Sequence, residues 1–317
     1  MYDSNSKDLS YTAGFFILIA FAVAGILLAS IISIPVWTTM TGKSVAEMEK
    51  AMSDPANSGA AKVLQCIQAI IGFFIPAVLT AYMLNRRPLR LLGYSPDIKW
   101  KQTGLVILIM FLALLVSASL SYFNERIPIN AGWKLRFDKM EGDYNQQVEA
   151  ILGLNNAGEY ILSLIIMAFI PAVCEETLFR GGLQNFLTRA TKMPWLSVLV
   201  VSFIFSASHV SFYGFLSRFF LGIILGLLYQ YSGKIWVNII AHFVNNAIAI
   251  TAIYIYKLQG KPLKEAIGDS NGSYWGLMAL PVVVGLLYLF KKISADPEEE
   301  RTPATQKGNQ ETPLHGL

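Results

Sequence analysis

Residues 158–180 read GEYILSLIIMAFIPAVCEETLFR. An apolar run long enough to cross a bilayer as a helix ends in two adjacent carboxylates, Glu175 and Glu176, and an arginine, Arg180. Ionisable groups at membrane depth are costly and mark functional sites by default. On a helix Glu175 and Glu176 point about 100° apart. Arg180 follows Glu176 by one turn, so these two can close an i,i+4 ion pair. Glu175 is left to face something else.

The rest of the chain has the same character. Its 317 residues are 54% hydrophobic and only 15% charged, with a mean hydropathy of +0.48, whereas a soluble domain carries about 25% charged residues. The expected architecture is all-α: a polytopic membrane protein of about eight transmembrane helices. The spans read as Tyr11–Trp37, Ala61–Asn85, Gln102–Phe123, Gly158 to about Arg180, Trp195–Phe212, Gly214–Tyr231, Ile235–Tyr256 and Tyr274–Phe290. Val45–Met52 reads as a short surface helix. The first run, lacking a basic leader, reads as a retained helix and not a cleaved signal.

Between the spans, Arg86, Arg87, Arg90, Lys99 and Lys101 crowd one short loop and mark a cytoplasmic side. Counting spans from that loop puts both termini, the Arg180–Met193 segment and the Gly233–Lys234 turn on the same side. Asn124–Ala157, of mixed charge, becomes a long outside loop. The net charge of +4 is small and sits in loops, so it reads as topology and not as nucleic-acid binding. The two cysteines, Cys66 and Cys174, offer neither a disulfide framework nor a metal knuckle. The organisation expected is an N-terminal region of three spans (1–157), a core (158–292) and a disordered cytoplasmic tail (293–317) rich in Pro, Glu and Gln. Short loops and a compact chain suggest a bacterial inner-membrane protein.

Three further groups put polar atoms into apolar segments. His209 closes Phe205-Ser-Ala-Ser-His209, so Phe205 and His209 share a helix face. His242 and Asn246 share another, with Asn238 one turn earlier. Taken singly, each has a bland reading as inter-helix adhesive. Gly222 and Gly226 need mean only close helix approach, and Arg218 can snorkel to the interface. Together, a carboxylate, two imidazoles and a carboxamide on neighbouring spans are what water activation needs: a base to take the proton and donors to hold the oxyanion.

The motifs E-E-x-x-x-R (Glu175–Arg180), F-x-x-x-H (Phe205–His209) and H-x-x-x-N (His242–Asn246) resemble, in kind and order, those of the CPBP intramembrane proteases. That family includes the CAAX prenyl endopeptidases and bacterial relatives tied to bacteriocin processing. The resemblance spans about Gly158–Phe290 and implies a four-helix catalytic core. It implies an intramembrane endopeptidase acting on a membrane-anchored or C-terminally hydrophobic peptide. By it Glu175 activates water, His209 completes the activation or stabilises charge, and His242 and Asn246 form the oxyanion side. Glu176, Arg180 and Phe205 support them. Family members are often called metalloproteases, and others are argued to be metal-free glutamate proteases; Glu175, His209 and His242 are a donor set that could hold zinc with an open position, although HExxH spacing is missing. The alternatives are a proton-coupled carrier using the same polar residues, or a non-catalytic membrane scaffold.

Geometry adds one expectation. His209 lies about 21 Å along its helix from Trp195. Glu175 can be level with it only if the fourth helix continues past Arg180 to about Arg189, bending near Gly181–Gly182.

Overall fold

The computed structural model describes residues 5–95, 97, 99–261 and 274–295. The tail expected to be disordered lies, from residue 296 onward, outside the described residues. Among those described the fold is all-α: α1 Tyr11–Thr41, α2 Val45–Ala51, α3 Pro55–Leu84, α4 Trp100–Asn124, α5 Ala131–Leu152, α6 Ala157–Thr191, α7 Pro194–Ala207, α8 Phe215–Ser232, α9 Ile235–Leu258 and α10 Tyr274–Ser294. Seven of these, α1, α3, α4, α6, α8, α9 and α10, are long and apolar enough to cross a membrane, and α7 is a shorter apolar helix. This is an integral membrane protein.

The helix α1 illustrates why the bundle holds together in lipid. Phe16, Val23, Leu27 and Ile31 are exposed along one side, while Leu18, Gly25, Ala29, Ser33 and Trp37 are buried along the other. A Cβ added to Gly25 would sit 2.5 Å from the Ile71 carbonyl oxygen. Small residues at four-residue spacing thus let two backbones approach where no hydrophobic force separates protein from lipid. Gly222 and Gly226 do the same for α8, where added Cβ atoms would meet Ser202 at 3.0 Å and Val198 at 2.9 Å on α7.

The helix α6 extends to Thr191, as the depth argument required. It is one helix with two wide, π-type turns, Leu164–Phe169 and Thr177–Gln184. The first precedes Pro171, as a similar turn in α3, Ile70–Phe74, precedes Pro76. Proline removes a backbone donor and crowds the carbonyl four residues back, and a wide turn absorbs both effects. The second contains Gly181 and Gly182, where a Cβ would lie 2.8 Å from the Leu92 carbonyl oxygen and 2.5 Å from Leu18 Cδ2.

Two expectations are corrected. Asn124–Ala157 is not a loop, because Ala131–Leu152 is helical. Asn130 caps it by accepting the Trp133 amide hydrogen at 2.9 Å, and Lys134 pairs with Asp138 one turn on. Nor does the fifth span reach Phe212, since α7 ends at Ala207. The Phe205 carbonyl, which would accept the next helical N–H, is taken instead by the Ser208 hydroxyl and the His209 ring nitrogen, both at 2.8 Å. Side chains that claim the last carbonyls end a helix. His209 therefore sits in the turn after α7, and Val210 follows with a left-handed φ of 49°.

Hydrogen bonds across the loops define the two ends of the bundle. One end joins Asn185 to Leu91, Ile235 to Gly93, Arg189 to Tyr11, and Gln102 to Ser294. The other joins Asn124 to Phe212, Ser211 to Glu141, and Lys62 to Leu152.

Candidate active site

Glu176 and Arg180 are both fully buried and form the expected ion pair at 2.9 Å. Arg180 also donates to the Gly222 carbonyl at 3.3 Å, and Gln184, one turn on, donates to that of Gly226 at 2.9 Å. The π turn keeps these side chains aimed at α8. Buried charges persist only when paired and further hydrogen-bonded. Glu176 meets that condition from a third side: Asn238 Nδ2 donates to its Oε2 at 3.2 Å and to the Leu225 carbonyl at 2.7 Å. Asn238 is thus both the inter-helix adhesive expected and a partner of the carboxylate.

His242 Nδ1 lies 2.8 Å from Glu176 Oε1. A carboxylate already paired with Arg180 is an acceptor, so His242 carries its hydrogen on Nδ1 and turns Nε2 outward. That Nε2 is 3.9 Å from Glu175 Oε2, beyond hydrogen-bond reach. Glu175 Oε2 is a buried acceptor with no partner among the described residues.

His209 is held in the same way. Its Nδ1 lies 2.8 Å from the Phe205 carbonyl oxygen, which can only accept, so Nδ1 donates and Nε2 is left without a hydrogen-bond partner among the described residues. Phe205 is the common support. Its ring meets His209 edge-on at 4.9 Å and His242 at 5.9 Å between centroids, and the Arg180 guanidinium lies 4.5 Å from it. The ring contacts fix both imidazoles, and the cation faces the ring's negative quadrupole. Glu175, His242 and Arg218 are the charged or chargeable groups that act on the His209 ring.

Asn246 lies one turn beyond His242, and its Oδ1 accepts from Asn245 Nδ2 at 3.0 Å. That bond orients the carboxamide and leaves its NH2 to donate. The structure therefore brings Glu175, His242, Glu176, Arg180, Phe205 and His209 into one connected cluster. Asn246 joins through its place on the His242 face.

The zinc set is not assembled. Among the described residues no three His, Cys, Asp or Glu side chains converge so as to hold a metal ion.

Two features depart from the sequence reading, which took Arg218 as snorkelling and residues 124–157 as a loop. Arg218, on the first turn of α8, packs over Gly214, and its Nη1 is buried without a partner among the described residues. The signal was a lone cation in an apolar helix just after the His209 turn. The second is α5. Phe137 stacks on Phe212 at 4.5 Å, Tyr213 donates to Asp138 at 2.5 Å, and Ser211 donates to Glu141 at 2.8 Å. The helix thereby holds the segment that carries His209. The Lys134 ammonium and the Tyr213 hydroxyl keep the Asp138 carboxyl below its ordinary range, while burial first and Asp138 second raise the Tyr213 phenol.

Residues 157–248 match the family model described as type II CAAX prenyl endopeptidase Rce1-like. The match covers α6 to the first half of α9 and leaves α10 outside. No curated protein matches the chain, and no solved structure does. The segment that carries Glu175, His209 and His242, less than a third of the chain, is thus similar to the CAAX prenyl endopeptidases, a family of peptide-bond hydrolases.

Proposed function

We propose that the protein cleaves a membrane-associated protein or peptide near an apolar C-terminal segment, using water activated by Glu175. Water donates to Glu175 Oε2, the buried acceptor with no partner in the described chain. The carboxylate takes a proton as the water oxygen attacks the scissile carbonyl carbon. The carbonyl π electrons move to oxygen, and the resulting oxyanion accepts from the Asn246 carboxamide and from His242, which in this role carries a second proton, on Nε2, beyond the one that Nδ1 donates to Glu176. His209 Nε2 stabilises the charge that develops around the attacking water. Collapse of the tetrahedral intermediate breaks the C–N bond, and the proton held by Glu175 passes to the leaving amine. Glu176 and Arg180 do not react; they hold His242.

The observation that carries this reading is the pair of imidazoles, each anchored at Nδ1 and free at Nε2, about a carboxylate oxygen 3.9 Å from one of them. A proton-carrying pathway needs no fixed oxyanion donors; here the carboxamide of Asn246 is oriented by a neighbour. Exposed apolar faces on several helices give an anchored substrate a lateral approach.

The test is substrate trapping in membranes. Wild type and Glu175→Gln are expressed with equal abundance, and co-purifying proteins and released fragments are identified by mass spectrometry. Proteolysis predicts full-length species enriched on the variant and matching fragments only with wild type. Identical partners and fragments for both sink the reading. A scaffold would instead keep its partners in both, and a carrier would lose pH-driven flux with no fragments.

A further inference from the structure

The basic end of the bundle holds a cavity of about 310 Å³ remote from Glu175. Arg90 and Arg189 line it together with Gln184, Asn185, Thr188 and Tyr229, and among the described residues no carboxylate does. Along α6, Thr188 lies about 20 Å beyond Glu175 at 1.5 Å per residue, so the cavity is not part of the cluster described above.

Three observations converge on its chemistry. The first is charge. Arg86, Arg87, Lys99 and Lys101 lie in the same loop, and Asp97 within it is already bonded to Lys234 at 2.6 Å. The second is unspent donors. Asn185 is fully occupied, giving hydrogens to the Leu91 and Gly181 carbonyls and accepting from Arg189 Nε at 2.8 Å. That last bond orients the Arg189 guanidinium and leaves it further donors. Arg90 is exposed and makes no side-chain hydrogen bond or ion pair among the described residues. The third is Thr188. Thr80, Thr177, Thr191 and Thr251 each return their hydroxyl to the carbonyl four residues earlier. Thr188 does not: its Oγ1 is buried without a hydrogen-bond partner among the described residues. A buried hydroxyl left unpaired is costly, and here it lies beside two guanidinium groups.

The backbone makes room for the cavity. Gly93 has φ 92°, and a Cβ there would lie 2.9 Å from the Gly233 carbonyl oxygen and 3.0 Å from the Tyr229 ring.

We infer that this cavity binds a phosphate group, held by Arg90 and Arg189 with Thr188 donating its hydroxyl. Two guanidiniums and a hydroxyl match phosphate geometry, and basic pockets between transmembrane helices take anionic head groups. The phosphate can arrive on a phospholipid or as a free ion.

The full chain in neutral detergent is titrated with phosphatidylglycerol, with phosphatidylcholine, or with inorganic phosphate, and its melting temperature is read by intrinsic fluorescence. Wild type is expected to be stabilised by phosphatidylglycerol well beyond phosphatidylcholine. Arg90→Gln, on an exposed residue, is expected to weaken the half-saturation concentration about tenfold, with an unchanged melting temperature in neutral detergent. Thr188→Val is expected to weaken it less. Inorganic phosphate that stabilises as well as phosphatidylglycerol would support the phosphate site and assign it to the free ion. Equal responses to all three additives, or an Arg90→Gln titration indistinguishable from wild type, would overturn the site. Neither result bears on proteolysis, which is read separately with Glu175.

Discussion

Glu175 and Glu176 are neighbours in sequence with opposite circumstances, and that contrast is testable. Glu176 is fully buried and satisfied by Arg180, His242 and Asn238. Removing it leaves the Arg180 cation uncompensated, a loss of about 3–5 kcal/mol. Glu176→Ala should therefore lower the melting temperature sharply and reduce expression, taking activity with it. Glu175 Oε2 has no hydrogen-bond partner to lose among the described residues. Glu175→Gln should keep or raise the melting temperature while lowering cleavage by roughly 10³-fold or more. Thermal unfolding and cleavage measured on the same two preparations separate the roles; a Glu175 variant that melts as early as the Glu176 variant refutes the division. Chelation should leave the cleavage rate unchanged, because Glu175, His209 and His242 do not converge as a metal set among the described residues.

At the scale of elements, the proposed chemistry places His209 on a turn, and α5 holds that turn. Tyr213→Phe removes the bond to Asp138 and leaves the Phe137–Phe212 stack. It should lower cleavage several-fold with little change in melting temperature, since neither residue belongs to the buried core. The same contact sets a pH limit. Asp138 is depressed in the folded protein by Lys134 and then Tyr213. Its contribution is therefore present above the unfolded value near ~3.9 and is lost as pH falls through the lower folded value. Docking should hold across neutral pH and fail only in acid, read by Trp133 fluorescence. For α6, Gly181→Ala drives a Cβ toward the Leu92 backbone, whereas Gly182→Ala meets the flexible end of Leu18. Overpacking of this kind costs about 1–3 kcal/mol, so Gly181→Ala should be the more destabilising of the two in thermal denaturation. α5 was illegible in the sequence because its polarity and two glycines, Gly132 and Gly142, give a helix no apolar stripe to announce it. Its stability comes from a cap and from contacts with residues some seventy positions away.

The spans of the whole molecule were legible because twenty apolar residues in lipid have few alternatives to helix. The i,i+4 pair and the shared faces were legible because helix geometry dictates them. What was not legible is convergence: that Phe205 supports both imidazoles and Arg180, that Asn238 bonds Glu176, and that His209 leaves the helix because its own ring takes the Phe205 carbonyl. These depend on how helices meet, which no single-helix pattern encodes. The same arrangement gives the molecule a polarity with a consequence. Helix directions place Arg86, Arg87, Arg90, Arg189 and Lys192 at one end, and α5 with the His209 turn at the other. Basic residues in short loops stay on the cytoplasmic side, so α5 and the His209 turn should face outward. Single cysteines at Lys192 and at Asp143, in a background with Cys66 and Cys174 replaced by Ala, should differ when intact cells meet a membrane-impermeant thiol reagent. Asp143→Cys should label and Lys192→Cys should not until the membrane is permeabilised. The reverse pattern would place the His209 turn in the cytoplasm and direct the search for substrates there.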